Sequence, residues 1–493
     1  MLVNNSVYNN IFKKDIIYAY LLFFVSIIVR YYIPKTIGDI FFIGLLGIFL
    51  FSKKNYFWLA FIFLLIDPPG FLFSEYGDFS LPALRISSMG RSVNFYEFFV
   101  LISFVKVIPL KKTKNFFFTR PLMLLLYYLI FLLIITSFRE ISLYKILRTI
   151  RFIIPYLFLI ALPRLLITKK DYMRFFNLLF SFVFLMLFAQ LFDILLGKHI
   201  AYLFGETNVL FSGDFEYSDQ LFDISETTLR YFYGVHIVLI SYIAALYFLV
   251  DKSNFFKKNY LFLIVFVSWL MTVLSATRGW IISFSFMFLM FIIIFHKNIT
   301  HIAAKAIIPI LVTIILILSF SNVSVQFTNS WKRLETITLL VQGDKSAGNT
   351  LGRITERSPR VMSKFDESPI IGFGFSDEYY SYADGHVGNQ TMLLNGGILG
   401  YCLFVIFWLY FNISLFTKNR IISYKNSYKN TLLIFIIGFT GIFIIHSSSA
   451  MIFGYLINVP TAFTLALFFV FADFVYKQAS FEDSLIKSNS NKK

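Results

Sequence analysis

Leu261-Phe-Leu-Ile-Val-Phe-Val-Ser-Trp-Leu-Met-Thr-Val-Leu274 and Ile281-Ile-Ser-Phe-Ser-Phe-Met-Phe-Leu-Met-Phe-Ile-Ile-Ile-Phe295 are two apolar runs separated only by Ser275-Ala-Thr-Arg278-Gly-Trp280. Each run, extended by its neighbours to residues 259–275 and 280–296, matches the helix length that crosses a ~30 Å hydrocarbon core. Barrel strands would be shorter and would alternate apolar with polar residues. The break is too short for anything but a tight turn, so the pair reads as a transmembrane helical hairpin with Arg278 at its tip.

The same pattern extends along the chain. Apolar runs recur near 15–33, 36–52, 56–73, 94–110, 116–137, 147–167, 173–197, 231–250, 303–320, 394–413, 431–449 and 455–476. Window hydropathy therefore predicts an all-α polytopic membrane protein of about 12–14 transmembrane helices. Composition agrees: the 493 residues are 58% hydrophobic and only 14% charged, outside the range of soluble domains. Phe 65 and Tyr 29 are high counts, acceptable on lipid-facing helices. The single Cys402 has no partner in the chain for a disulfide. Lys13 and Lys14 precede a first apolar run without a small-residue cleavage site, which reads as a retained helix.

A formal charge of +17 would suggest nucleic acid in a soluble protein. Here the cations sit in short connections: Lys53, Lys54, Lys111, Lys112, Lys114, Lys169, Lys170, Lys252, Lys257, Lys258, Lys297, Lys305, Lys418, Arg420, Lys425 and Lys429. With a cytoplasmic N-terminus all of these fall inside, as the positive-inside rule requires, and no nucleic-acid partner is needed. The expected organisation is one integral membrane domain, 1–476, and a cytoplasmic tail, 477–493. The outer connections include an acidic loop at 198–230 and one long loop at 321–393. Both termini lie inside.

The long loop holds most of the polar chemistry: Asn349-Thr-Leu-Gly-Arg353, Glu356-Arg357-Ser-Pro-Arg360, Ser368-Pro-Ile-Ile-Gly372-Phe-Gly374, and Asp384-Gly-His386-Val-Gly-Asn389-Gln390 before Leu393-Leu-Asn-Gly-Gly-Ile-Leu-Gly400. An imidazole alone has an unperturbed pKa near neutrality, which makes His386 the candidate general base. Guanidinium groups are always charged and fit phosphate oxygens. Arg278 thus suits a lipid phosphate as well as headgroup anchoring, and Arg353, Arg357 and Arg360 suit either phosphate or solvent.

The order of these features resembles the O-antigen ligase and O-antigen polymerase superfamily over roughly residues 230–413. They are a Thr-Arg-Gly break, a further pair of spans, then a long outer loop with Arg, Pro-x-x-Gly-x-Gly and Gly-His-x-x-Asn before a Gly-rich helix. The family's usual His-Asn pair is here His386-Val-Gly-Asn389, and Arg357 stands where an aromatic usually follows the loop arginine. The resemblance implies a bundle of the C-type glycosyltransferase (GT-C) kind in a bacterial inner membrane, with the site on the periplasmic face. It also implies glycan transfer from an undecaprenyl-pyrophosphate-linked oligosaccharide to an acceptor glycan or to lipid A-core. Arg278 and Arg353 would contact the pyrophosphate and His386 would be the catalytic base, with no cofactor or metal. Membrane lipids, a flippase and a chain-length regulator would be the partners.

Other residues extend this reading. Arg357 and Arg230 are further candidates to share the pyrophosphate. Lys145, Arg148 and Arg151 recur at threes on a helix entering from outside and form a second phosphate-attracting stripe or a headgroup-binding one. Asp214-Phe-Glu216 lacks a third ligand and makes a poor divalent site. His446 at an outer helix end reads mainly as a helical histidine. Between polymerase and ligase, the acidic 198–230 loop favours polymerase, as a place for a second glycan chain. A polysaccharide flippase is the competing reading, and it predicts functional charges inside the spans; the sequence shows few there beyond Lys106 and Arg164.

Overall fold

The computed structural model describes residues 5–66, 80–86, 91–108, 119–140, 142, 146, 154, 156–162, 164–196, 234–251, 255–342, 353–422, 427–448, 464–475 and 477. Among them the chain is helical apart from one small hairpin. The helices are α1 (Asn5–Tyr32), α2 (Lys35–Phe51), α3 (Asn55–Ile66), α4 (Phe95–Val107), α5 (Thr119–Arg139), α6 (Lys169–Leu196), α7 (Val235–Val250) and α8 (Lys258–Leu274). They continue with α9 (Arg278–Ser319), α10 (Ser321–Val341), α11 (Ser358–Phe365), α12 (Asp377–Tyr382), α13 (Gly388–Ile422) and α14 (Ser427–Ser448), and α15 (Thr464–Val475). Strands β1 (Ser80–Ile86) and β2 (Arg91–Asn94) pair antiparallel between α3 and α4, a small hairpin in an otherwise helical membrane protein.

Four helical segments are long and apolar enough to cross a membrane: Leu122–Arg139, Lys169–Leu195, Arg278–Phe295 and Gly388–Ser414. Six shorter apolar helices accompany them among the described residues: Thr36–Phe51, Asn55–Leu65, Val235–Val250, Lys258–Leu274, Leu433–Ser448 and Thr464–Val475. The expected runs over 147–167 and 455–476 lie partly outside the described residues.

The opening hairpin forms as its sequence predicts. α8 ends at Leu274, Ala276 takes a left-handed conformation with φ 50°, and α9 starts at Arg278. The expected spans 280–296 and 303–320 join as one 42-residue helix with a non-helical residue at Phe295.

Lipid does not drive apolar helices together, so close packing and buried hydrogen bonds have to. α14 approaches α7 and α9 through Gly438 and Gly441. A Cβ at Gly438 would lie 3.0 Å from Ile243 Cγ2, and one at Gly441 would lie 2.4 Å from Met287 Sδ. Ser283 Oγ donates to Gly441 O at 2.7 Å, and Tyr242 donates from α7 to Phe284 O at 2.9 Å.

Intramembrane charge is richer than the sequence suggested, and that expectation is corrected. Asp39, Glu97, Asp193 and Asp473 are all buried. Each lies within two turns of a helix end, in α2, α4, α6 and α15. Two ion-paired knots brace α6. Asp15 pairs with Arg174 at 3.5 Å and accepts from Tyr56, while Asp473 pairs with Lys477 at 2.8 Å and accepts from Tyr172.

The described residues of 321–393, expected as a loop, are substantially helical: α10, the turn Arg353–Arg357, α11 and α12 all fall there. α10 lays a polar stripe over the end of the α8–α9 hairpin. Gln326 Nε2 donates to Leu274 O at 2.7 Å, Ser330 Oγ to Val273 O at 2.6 Å, and Arg333 Nη1 to Ala276 O at 2.9 Å. Val273 and Leu274 lie in the last turn of α8, where carbonyls lack the usual i+4 donor; Val273 O also accepts from Ala276 N–H at 3.1 Å, and α10 adds side-chain donors to that helix end and to the turn after it.

Candidate functional site

The Pro-x-x-Gly-x-Gly segment packs backbone to backbone against a break in α13. Gly397 interrupts that helix with φ 61° and ψ −169°, a region open essentially only to glycine. Phe373 N–H donates to Leu394 O at 3.0 Å, and Gly374 N–H to Asn395 O at 2.7 Å. Asn395 Nδ2 returns a bond to Gly374 O at 2.6 Å. Beyond the break, Ile398 and Leu399 donate to Pro369 O and Ile370 O at 2.9 and 3.0 Å. The loop thereby satisfies the first N–H groups of the second half of α13. A Cβ at Gly372 would lie 2.4 Å from Gly397 N, and one at Gly397 would lie 2.3 Å from Ile370 O.

The end of α5 fixes the other side of this loop. Arg139 Nη2 donates to Ser368 Oγ at 2.7 Å and Gly372 O at 3.2 Å, with its guanidinium 4.4 Å from the Phe373 ring centroid. Thr136 Oγ1 accepts from Phe375 N–H at 2.8 Å, and Glu140 Oε1 from Asp377 N–H at 2.6 Å. Lys364 Nζ lies 2.6 Å from both Glu367 Oε2 and Glu378 Oε2, tying α11 to α12. Those hydrogen bonds, Glu367's first, hold the ammonium above the ordinary lysine pKa.

His386 sits in a turn built on Asp384. Its N–H donates to Asp384 Oδ1 at 2.8 Å, and Asp384 is anchored through Thr391, whose Oγ1 accepts from Asp384 N–H at 3.1 Å and donates to Asp384 O at 2.8 Å. The other carboxylate oxygen, Oδ2, faces Arg357 Nη1 at 3.8 Å and Arg360 Nη2 at 3.5 Å. One buried carboxylate thus links the imidazole-bearing turn to two loop arginines. The sequence reading passed over Asp384, since nothing local marks its pairing with residues 24 and 27 positions earlier.

The turn then meets α14. Asn389 Nδ2 donates to Ser447 Oγ at 3.0 Å, Tyr401 OH donates to Asn389 Oδ1 at 3.4 Å, and a Cβ at Gly388 would lie 2.4 Å from His446 O. His446 is 1% exposed, in keeping with a packed helical histidine. Ser283, five residues after the start of α9 at Arg278, bonds Gly441 of α14, six residues before Ser447. Below this junction a cavity of about 270 Å³ opens between α13 and α14, lined by Tyr401, Phe404, Trp408, Phe439 and Phe443 among others.

The remaining candidates divide by what is described. Arg353 begins a π-helical turn, Arg353–Arg357, that leads into α11; its side chain is outside the described residues. Arg148, Arg151 and Arg230, the Lys145 stripe and the Asp214–Glu216 pair also lie outside them, as does the acidic loop 198–230. No protein-family model, no curated protein and no solved structure matches the chain.

Proposed function

We propose that the protein is a membrane glycosyltransferase that moves a glycan from a polyprenyl pyrophosphate, such as an undecaprenyl carrier, to an acceptor sugar hydroxyl. The observation that carries this reading is the turn holding His386 on Asp384 beside Arg357 and Arg360. In the proposed step the acceptor oxygen attacks the anomeric carbon and its proton passes to His386. The carbon–oxygen bond to the pyrophosphate breaks with inversion, and the electron pair leaves on the phosphate. Arginines at low dielectric stabilise the charge that develops there. Arg278 and Arg353 are the principal pyrophosphate ligands in this scheme, with Arg357 assisting and no metal taking part.

Polymerisation of a surface polysaccharide on the periplasmic face of a bacterial inner membrane is the favoured form, and ligation to lipid A-core the alternative. The buried carboxylates Asp39, Glu97, Asp193 and Asp473 lie near helix ends, whereas a flippase needs them along a central path.

The test is reconstitution of the purified protein with an undecaprenyl-pyrophosphate-linked repeat unit, beside a His386→Ala variant. A ladder of lengthened glycans that disappears in the variant supports the polymerase. Transfer only when lipid A-core is supplied makes it a ligase. No transfer to any acceptor sinks the reading and leaves the flippase.

A further inference from the structure

We propose that Arg357 and Arg360 form a receiving fork for a phosphate group, and that Asp384 is the fork's resting occupant, an internal carboxylate that the incoming phosphate displaces. The proposal rests on the site being an anion-handling one, and it adds a residue and a function that the sequence reading did not contain.

Three observations carry it. First, the ion pairs are long, 3.8 Å to Arg357 and 3.5 Å to Arg360, against about 2.7–2.9 Å for a charge-assisted hydrogen bond. At these distances Asp384 neutralises charge without forming a charge-assisted hydrogen bond to either guanidinium. Second, exposure is graded outward: the Asp384 side chain is 9% exposed, Arg357 30% and Arg360 51%. The acid is held inside, and the arginines lie between it and the aqueous face from which a phosphate arrives. Third, Asp384 cannot follow the arginines. Thr391 holds its main chain from both sides and its Oδ1 is engaged by the His386 N–H. Movement therefore falls to the arginine side chains, while the His386 turn keeps its geometry.

The exchange has a sign that a purely structural aspartate would not give. An ion pair whose arginine is half exposed, as Arg360 is, contributes at most about 1 kcal/mol, so on that side the carboxylate is a weak competitor that a doubly charged phosphate outbids. Asp384→Asn retains an oxygen for the His386 N–H and removes the competing charge. Phosphate affinity is then expected to rise, by roughly two- to fivefold, instead of falling. Arg360→Gln is expected to lower it by a similar factor, and its half-exposed position makes the variant safe for folding.

The experiment measures binding by the full-length, detergent-purified protein, with thermal unfolding run alongside to verify folding. Farnesyl pyrophosphate, inorganic pyrophosphate and phosphatidylglycerol vesicles are the probes. Tighter pyrophosphate binding by Asp384→Asn together with weaker binding by Arg360→Gln supports the fork. Equal or weaker binding by a folded Asp384→Asn overturns it, as does unchanged binding by Arg360→Gln or absence of pyrophosphate binding in every form. A response with farnesyl pyrophosphate alone assigns the site to a lipid-linked phosphate, and an equal response with inorganic pyrophosphate to the phosphate itself. A response confined to the vesicles overturns the fork in favour of headgroup adsorption. Because the readout is binding, the fork can stand even where glycan transfer fails, so the two ideas fall separately.

Discussion

At the residue scale, the glycines and the imidazole make separate predictions. On the proposed reading, His386→Ala is expected to leave a correctly folded protein whose glycan transfer falls by roughly 10²-fold or more, as for loss of a general base, and a single-turnover assay against lipid-linked repeat unit measures it. Gly397→Ala faces both a glycine-only backbone conformation and a Cβ 2.3 Å from Ile370 O. It is expected to destabilise by at least about 3 kcal/mol, seen as a lower unfolding midpoint in detergent; an unchanged midpoint contradicts the packing described here. The spacing of Gly372, Gly374 and Gly397 was visible in the sequence, but which backbone each one admits was not, because the contact spans the chain between two separate motifs. Arg139 was missed for a different reason. A cation at the end of an apolar run looks like a headgroup anchor, and only the folded loop reveals that it donates to Ser368 and Gly372.

At the scale of elements, hydropathy found the apolar helices because a run that must satisfy its own backbone in lipid has little choice but to be helical. The Ser275–Trp280 break was legible to the residue at its start and to within three residues at its end, since α8 ends at Leu274 and α9 begins at Arg278. α10 escaped because hydropathy weighs apolar length and this helix is polar. Its signal was present as period: Val323, Gln326, Ser330 and Arg333 fall at helical spacing on one face. If that face closes the end of α8, Gln326→Ala leaves Leu274 O without its donor at a cost of about 1–3 kcal/mol. The amides of 323–334 should exchange slowly with deuterium in the wild type, and rapid exchange throughout would return the segment to a loop.

At the scale of the whole molecule, the orientation expected from charge can be tested directly. The chain has one cysteine, Cys402, so a Cys402→Ser background is free of thiols. In it, a membrane-impermeant maleimide should label Asn322→Cys in intact cells and Lys53→Cys only after permeabilisation; the reverse pattern would invert the topology and move His386 to the cytoplasm. The mutual closure of the Ser368–Gly374 loop and the α13 break also governs how such a protein can be inherited in pieces. Neither half holds its shape alone: the loop carries its glycines for the helix, and the helix takes its first acceptors from the loop. A recombination joint or engineered chimera cut between 375 and 394 would marry a loop from one parent to a break from another and is expected to misfold. One that transplants 368–400 as a block, together with the α5 end bearing Thr136 and Arg139, carries the lock and its key in one step and is expected to fold.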